Sequence, residues 1–118
     1  MRLDEFKTRQ ANFEQELKRA GRDSEDVTVS LVTDGMVSYS KSDVERLIEA
    51  AAVERGQARD RYRVDDSVIV GNSAEVARRI RDYRDAGVRH LILNFPSSGL
   101  IDQLEYFGAE VIPDSSSI

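Results

Sequence analysis

The chain has 118 residues and a mass of 13.3 kDa, the size of one ordinary domain, and 40% apolar residues with 7 glycines exclude a disordered one. Acidic side chains outnumber basic ones 22 to 17, and the net charge of −5 repels phosphate backbones and anionic lipid, so no nucleic acid and no membrane is expected as partner. Cysteine is absent, which excludes disulfides, thiolate catalysis and Cys-based metal sites and agrees with a cytoplasmic setting, and MRLDEFKTRQ carries no signal region.

Leu3, Phe6, Gln10, Phe13, Leu17 and Ala20 recur at steps of three and four, the inner stripe of an amphipathic helix closed by Gly21. After the polar stretch RDSED, the segment VTVSLVT alternates with period two and predicts a strand over 27–33. Asp34-Gly35 reads as a turn or the mouth of a site, and MVSYSK as a loop. Ser42 with Glu45 forms an expected capping box ahead of a helix carrying Val44, Leu47, Ile48 and Ala51, stopped by Gly56. QARDRYRVDD is a polar connection, and SVIV a short buried strand bounded by Gly71.

Asn72 with Glu75 predicts a second cap, ahead of Val76, Ala77, Ile80 and Tyr83 on one helical face and Gly87 at its end. RHLILNF holds three consecutive apolar residues, which predicts a strand covered on both faces. A loop over Pro96–Gly99 leads to a last helix with Leu100, Ile101, Leu104, Phe107 and Val111, ended by Pro113. Helices thus separate every pair of strands, so the sheet is parallel with right-handed crossovers. Residues 1–113 form one α/β domain and 114–118 a flexible tail.

Parallel α/β folds place their chemistry at the carboxyl ends of strands, which selects Asp34, Gly35, Gly71, Asn72, Asn94 and Phe95. His90 begins its strand and reads as structural. Asp34 supplies a carboxylate, Asn72 a helix cap or an anion seat, Asn94 an amide, and Phe95 an apolar wall. Neither G-x-G-x-x-G nor a P-loop occurs, and no Ser-His-Asp set or carboxylate pair is visible. The arginines of RDRYR and RRIRDYR alternate with acids and read as a salt-bridged surface. Catalytic residues are unassigned.

The stretch VIVGNSAEVARRIRDYRDAGVRHLILNFPSSGLIDQLEYFGAEVIP resembles the C-terminal part of the bacterial luciferase-like monooxygenase family. The resemblance rests on Gly71, Glu75-Val76-Ala77, Ala86-Gly87-Val88, Leu91 to Phe95, and Val111 to Pro113, with AGRDSEDVTVSLVTDGMV similar upstream. Asn72-Ser73 stands where the family often has Thr-Pro, which keeps the cap and drops the rigid first turn.

The resemblance implies a flavin- or deazaflavin-dependent oxidoreductase or monooxygenase, with FMN or a deazaflavin carrying the chemistry. It also implies a TIM-type barrel, of which this chain supplies a partial one of three strands and four helices, with weak or no activity alone. Asp34, Gly71, Asn72, Asn94 and Phe95 would line one side of the pocket. Four helices on one face cannot bury Val29, Val32, Ile69 and Ile92 together, so self-association or a complementary chain is expected. Two other readings stand beside this one. The first is a non-catalytic α/β binding or oligomerisation module; the second is a doubly wound domain with helices on both faces and a small anion at Asn72.

Overall fold

The computed structural model describes residues 2–59, 62 and 68–113. The expected tail and much of the polar connection, with Ser67 of SVIV, lie outside the described residues. In chain order the elements are α1 (Leu3–Arg19), β1 (Ser30–Val37), α2 (Lys41–Glu54), β2 (Ile69–Gly71), α3 (Ser73–Asp85), β3 (His90–Asn94) and α4 (Leu100–Tyr106). A 3₁₀ turn over Ser24–Asp26 precedes β1, and α4 widens into a π-type turn over Phe107–Val111.

The three strands are parallel, as their helical connections require, and stand in the order β2-β1-β3. This order departs from the expected barrel arc. A barrel places each strand beside the next in sequence and every helix on its outer face, whereas here the first strand is central and the sheet is open. From β1 the chain steps to one side to make β2, then returns past β1 to make β3. Right-handed crossovers running in opposite directions put their helices on opposite faces.

Burial agrees with that rule. Leu31 and Val37 of β1 and Ile69 of β2 join Phe6, Val76, Ala77, Tyr83, Val88, Tyr106 and Val111 in one core. Met36 and Val68 join Val44, Leu47, Ile48, Ala51, Ala52 and Tyr62 in a second core, under α2. Of the four sheet residues expected to compete for cover, Ile69 is buried and Val29 is half-buried against the first core. Val32 and Ile92, which are register partners, stay 56% and 39% exposed. β3 also corrects an expectation, since it has no buried residue despite its apolar run.

Local signals held where they depend on neighbours in the chain. The Asn72–Glu75 capping box is complete: Asn72 Oδ1 accepts from the Glu75 N–H at 3.0 Å, and Glu75 Oε1 accepts from the Asn72 N–H at 3.2 Å. Gly71 just before it has φ +141°, and an added Cβ would lie 2.9 Å from Glu75 Cβ. At α2 the cap is Ser40, accepting from the Asp43 N–H at 3.0 Å, two residues earlier than the expected Ser42–Glu45 box.

The largest local correction concerns β1, which runs over 30–37 rather than 27–33. Asp34-Gly35 is not a turn but mid-strand, and Met36 and Val37 of the expected loop are 0% and 1% exposed. β2 explains the extension, because it pairs with β1 only over Gly35–Val37. Met36→Ala is therefore expected to cost about 2–5 kcal/mol, the price of a core cavity, where a loop methionine would cost under about 0.5 kcal/mol. Urea unfolding with unchanged m-value checks it.

Candidate functional site

The carboxyl ends of β1 and β3 mark the point where the crossovers diverge, the place at which open α/β sheets bind ligands. Ser38 and Tyr39, just beyond β1, separate two clefts there. One, of about 460 Å³, lies between α2 and α4 and is lined by Asp43, Arg46, Asp102, Glu105 and Tyr106. The other, of about 470 Å³, lies between α2 and the β2–α3 junction and is lined by Lys41, Glu45, Gly71, Asn72 and Glu75.

Tyr39 is the wall common to both clefts. Its ring packs on that of Tyr106, with centroids 4.0 Å apart and planes at 59°, yet the residue is 74% exposed. The Tyr39 hydroxyl donates to Glu110 Oε1 at 3.4 Å. Desolvation and the negative charge of Glu110 together hold this phenol above its ordinary pKa. Tyr106 is buried, and its own hydroxyl accepts from the Ser73 N–H at 3.0 Å, tying the start of α3 to α4.

Charge around the clefts is unequal. Arg46 lies 3.7 Å from Asp43, whose other oxygen accepts from Ser38 Oγ at 3.2 Å. Asp102 and Glu105 stand three apart on α4, and with Glu45, Glu75 and Glu110 they outnumber the cations. The α3 N-terminus has spent three donors internally, those of Asn72, Ser73 and Glu75, and the Glu75 carboxylate sits where an anion would bind. A phosphate finds no cradle here. Among the described residues no group of three His, Asp or Glu is placed to hold a metal ion.

Of the residues selected from sequence, Gly71 and Asn72 reach the clefts, while Asp34, Asn94 and Phe95 do not. Asp34 lies on the α2 side of the sheet, where Arg55 grips both carboxylate oxygens and the Tyr62 hydroxyl donates to Oδ2 at 2.5 Å. Those contacts hold the end of α2 and Tyr62 against the central strand. The paired Asp34 carboxylate keeps the Arg55 guanidinium above its ordinary pKa. Burial first, then the bond to Asp34, pushes the Tyr62 phenol well upward. Asn94 is exposed beside Asp34, and Phe95 points to the other face, edge-on to Phe107 at 5.5 Å.

Gly35 gives room for that packing, since a Cβ there would meet Leu93 at 3.4 Å and Phe95 at 3.5 Å. His90 is exposed at the start of β3, away from the clefts. The basic runs are paired in part: Arg59 meets Glu45 at 3.2 Å and Arg84 meets Asp85 at 3.5 Å, while Asp60, Asp65 and Asp66 lie outside the described residues. Sequence reasoning missed Tyr39 and Tyr106. Tyr39 gives no signal with the strand expected to end at residue 33, and it stands two residues past the strand only because β1 runs to Val37; Tyr106 falls off the apolar stripe read for α4.

No known protein family matches the chain, and no curated protein does so either. No described helix is long and apolar enough to cross a membrane.

The Tyr62 anchor has a pH signature. Its folded pKa lies above the ordinary 10.0, so the folded state resists deprotonation. The associated stability is intact below pH 10 and is lost as pH rises beyond it. Tyr62→Phe is expected to cost about 1–2 kcal/mol at pH 7, and that gap should narrow above pH 10. Denaturant midpoints of both proteins at pH 7 and pH 10.5 measure it.

Proposed function

We propose that the chain is related to the luciferase-like flavin- or deazaflavin-dependent oxidoreductases and has weak or no activity alone. Support comes from the structural duty of the positions that carry the resemblance. Gly71, Val76, Ala77 and Val88 fall at the turn and in the core of one β2–α3–β3 unit, with Val76, Ala77 and Val88 at most 3% exposed. The order β2-β1-β3 is not that of a barrel arc, so the reading rests on residue pattern and on the crevice rather than on topology.

The crevice fits only part of such a cofactor. Tyr39 offers an exposed aromatic face on which a flat tricyclic ring can stack, whereas the acid-rich lining and the spent α3 N-terminus reject the phosphate. The whole cofactor therefore does not fit this chain by itself, and no catalytic step is assigned to its residues. A flavin-like ring held in this way would be bound by its aromatic face alone, against the repulsion of any phosphate it carries.

A second reading, a non-catalytic binding or oligomerisation module, is favoured by a separate observation. Val32 and Ile92 lie side by side and exposed on a parallel sheet, a type normally covered on both faces. Self-association or a complementary chain would supply that cover.

Titration of the protein into riboflavin and into FMN tests the first reading through the flavin fluorescence. Saturable quenching is expected, stronger for riboflavin than for FMN, with loss of both in Tyr39→Leu. Quenching of neither sinks the flavin reading. Strong preference for FMN would show that a phosphate seat exists after all.

A further inference from the structure

The geometry of β3 points to a specific partner. We propose that β3 pairs edge to edge with β3 of a second copy, antiparallel and centred on Ile92, joining two three-stranded sheets into one of six. The inference deepens the oligomerisation reading and is independent of the flavin one.

β3 stands at the end of the sheet, and among the described residues its outer side has no strand beside it. Natural edge strands are guarded by lysine, proline, bulges or shortness. His90-Leu91-Ile92-Leu93-Asn94 has none of the first three: its five residues pair with β1 in unbroken register and include neither lysine nor proline. All five are exposed or half-buried, although the sequence reads as buried strand. This edge is built to be covered.

Its residue order selects a second copy. The pattern is polar-Leu-Ile-Leu-polar, symmetric about Ile92. An antiparallel two-fold pairing sets Ile92 against Ile92, Leu91 against Leu93, and His90 against Asn94, whose side chains can hydrogen-bond. Backbone direction agrees with this register. The His90 N–H donates inward to Val29 O at 3.2 Å, so the polar groups of Leu91 and Leu93 point outward. Those are the residues that the register makes into two hydrogen-bonded pairs, leaving Ile92 at a close, non-hydrogen-bonded one.

Charge favours the same place. Each copy carries −5, which resists approach elsewhere, but β3 holds no acidic residue. The carboxylate of its register neighbour, Asp34 next to Asn94, is neutralised by Arg55. The pairing also sets Val32, Ile92 and their two symmetry mates in one apolar row on the open face.

The absence of native cysteine makes a clean test. Ile92→Cys is expected to give a disulfide-linked dimer under mild oxidation, because non-hydrogen-bonded antiparallel partners have Cα atoms about 4.5 Å apart. Val32→Cys, one strand further in on each copy, would be about 14 Å from its mate and should stay unlinked. Sedimentation of the unmodified protein should give twice 13.3 kDa at high concentration. Crosslinking through Val32→Cys instead would overturn edge pairing in favour of face-to-face stacking and leave the oligomerisation reading standing. A monomer at every concentration, with neither variant crosslinked, would overturn both.

Discussion

Met36 and Val37 are consecutive in the chain and are buried in different cores, at 0% and 1% exposure. A strand sends successive side chains to opposite faces, so burial of both demands a layer of helices on each side of β1. That demand cannot be met by a sheet whose helices all lie on one face. It is met by running the two crossovers in opposite directions from the central strand, which puts α2 over Met36 and α3 over Val37. The strand order, the two cores and the position of the crevice all follow from this one pair of residues.

Keeping β1 extended through Asp34 has a cost, because a carboxylate then faces a helix layer. Arg55 and Tyr62 offset that cost by giving the carboxylate three hydrogen bonds. These partners are 21 and 28 residues further along the chain. No local signal in sequence can announce such a pairing, and Asp-Gly followed by polar residues favours a turn on local grounds. The result is that Asp34, one of the site candidates selected by position, serves as the pin that closes α2 onto the sheet.

What was legible in the sequence was what short-range physics decides. Asn72–Glu75 capped α3 as read, because both partners sit within one helical turn. Helical stripes, the parallel direction of the strands and the helix-closing glycines were legible for the same reason. Crossover direction was not, since equal helices and loops can step left or right along a sheet. The Ser42 cap failed by two residues because serines at 40 and 42 both offer an oxygen, and the fold settles where β1 ends. In the candidate site, Gly71 and Asn72 were legible through helix-start chemistry. Tyr39 was not, since its value depends on Tyr106, 67 positions away in α4.

The open half-face and the exposed wall of the crevice have a common origin in the small number of strands. Among the described residues only β1 has a strand on both sides, and α2, with Tyr62 of the connection after it, serves the face that carries Met36. It covers the β1–β2 half, so Val32 and Ile92 on the other half keep their exposure. At the carboxyl edge the same shortage leaves Tyr39 walled by Tyr106 on one side and by solvent on the other. A further strand beyond β3, with the helix that leads to it, would pair the edge and bring another loop to the crevice. In an edge-paired dimer the second β3 runs antiparallel, so it pairs the free backbone edge and lengthens the apolar row across the seam, while its own crevice opens at the opposite end of the joined sheet. Dimerisation of that kind satisfies the backbone of the β3 edge and leaves each crevice with only the residues of its own chain.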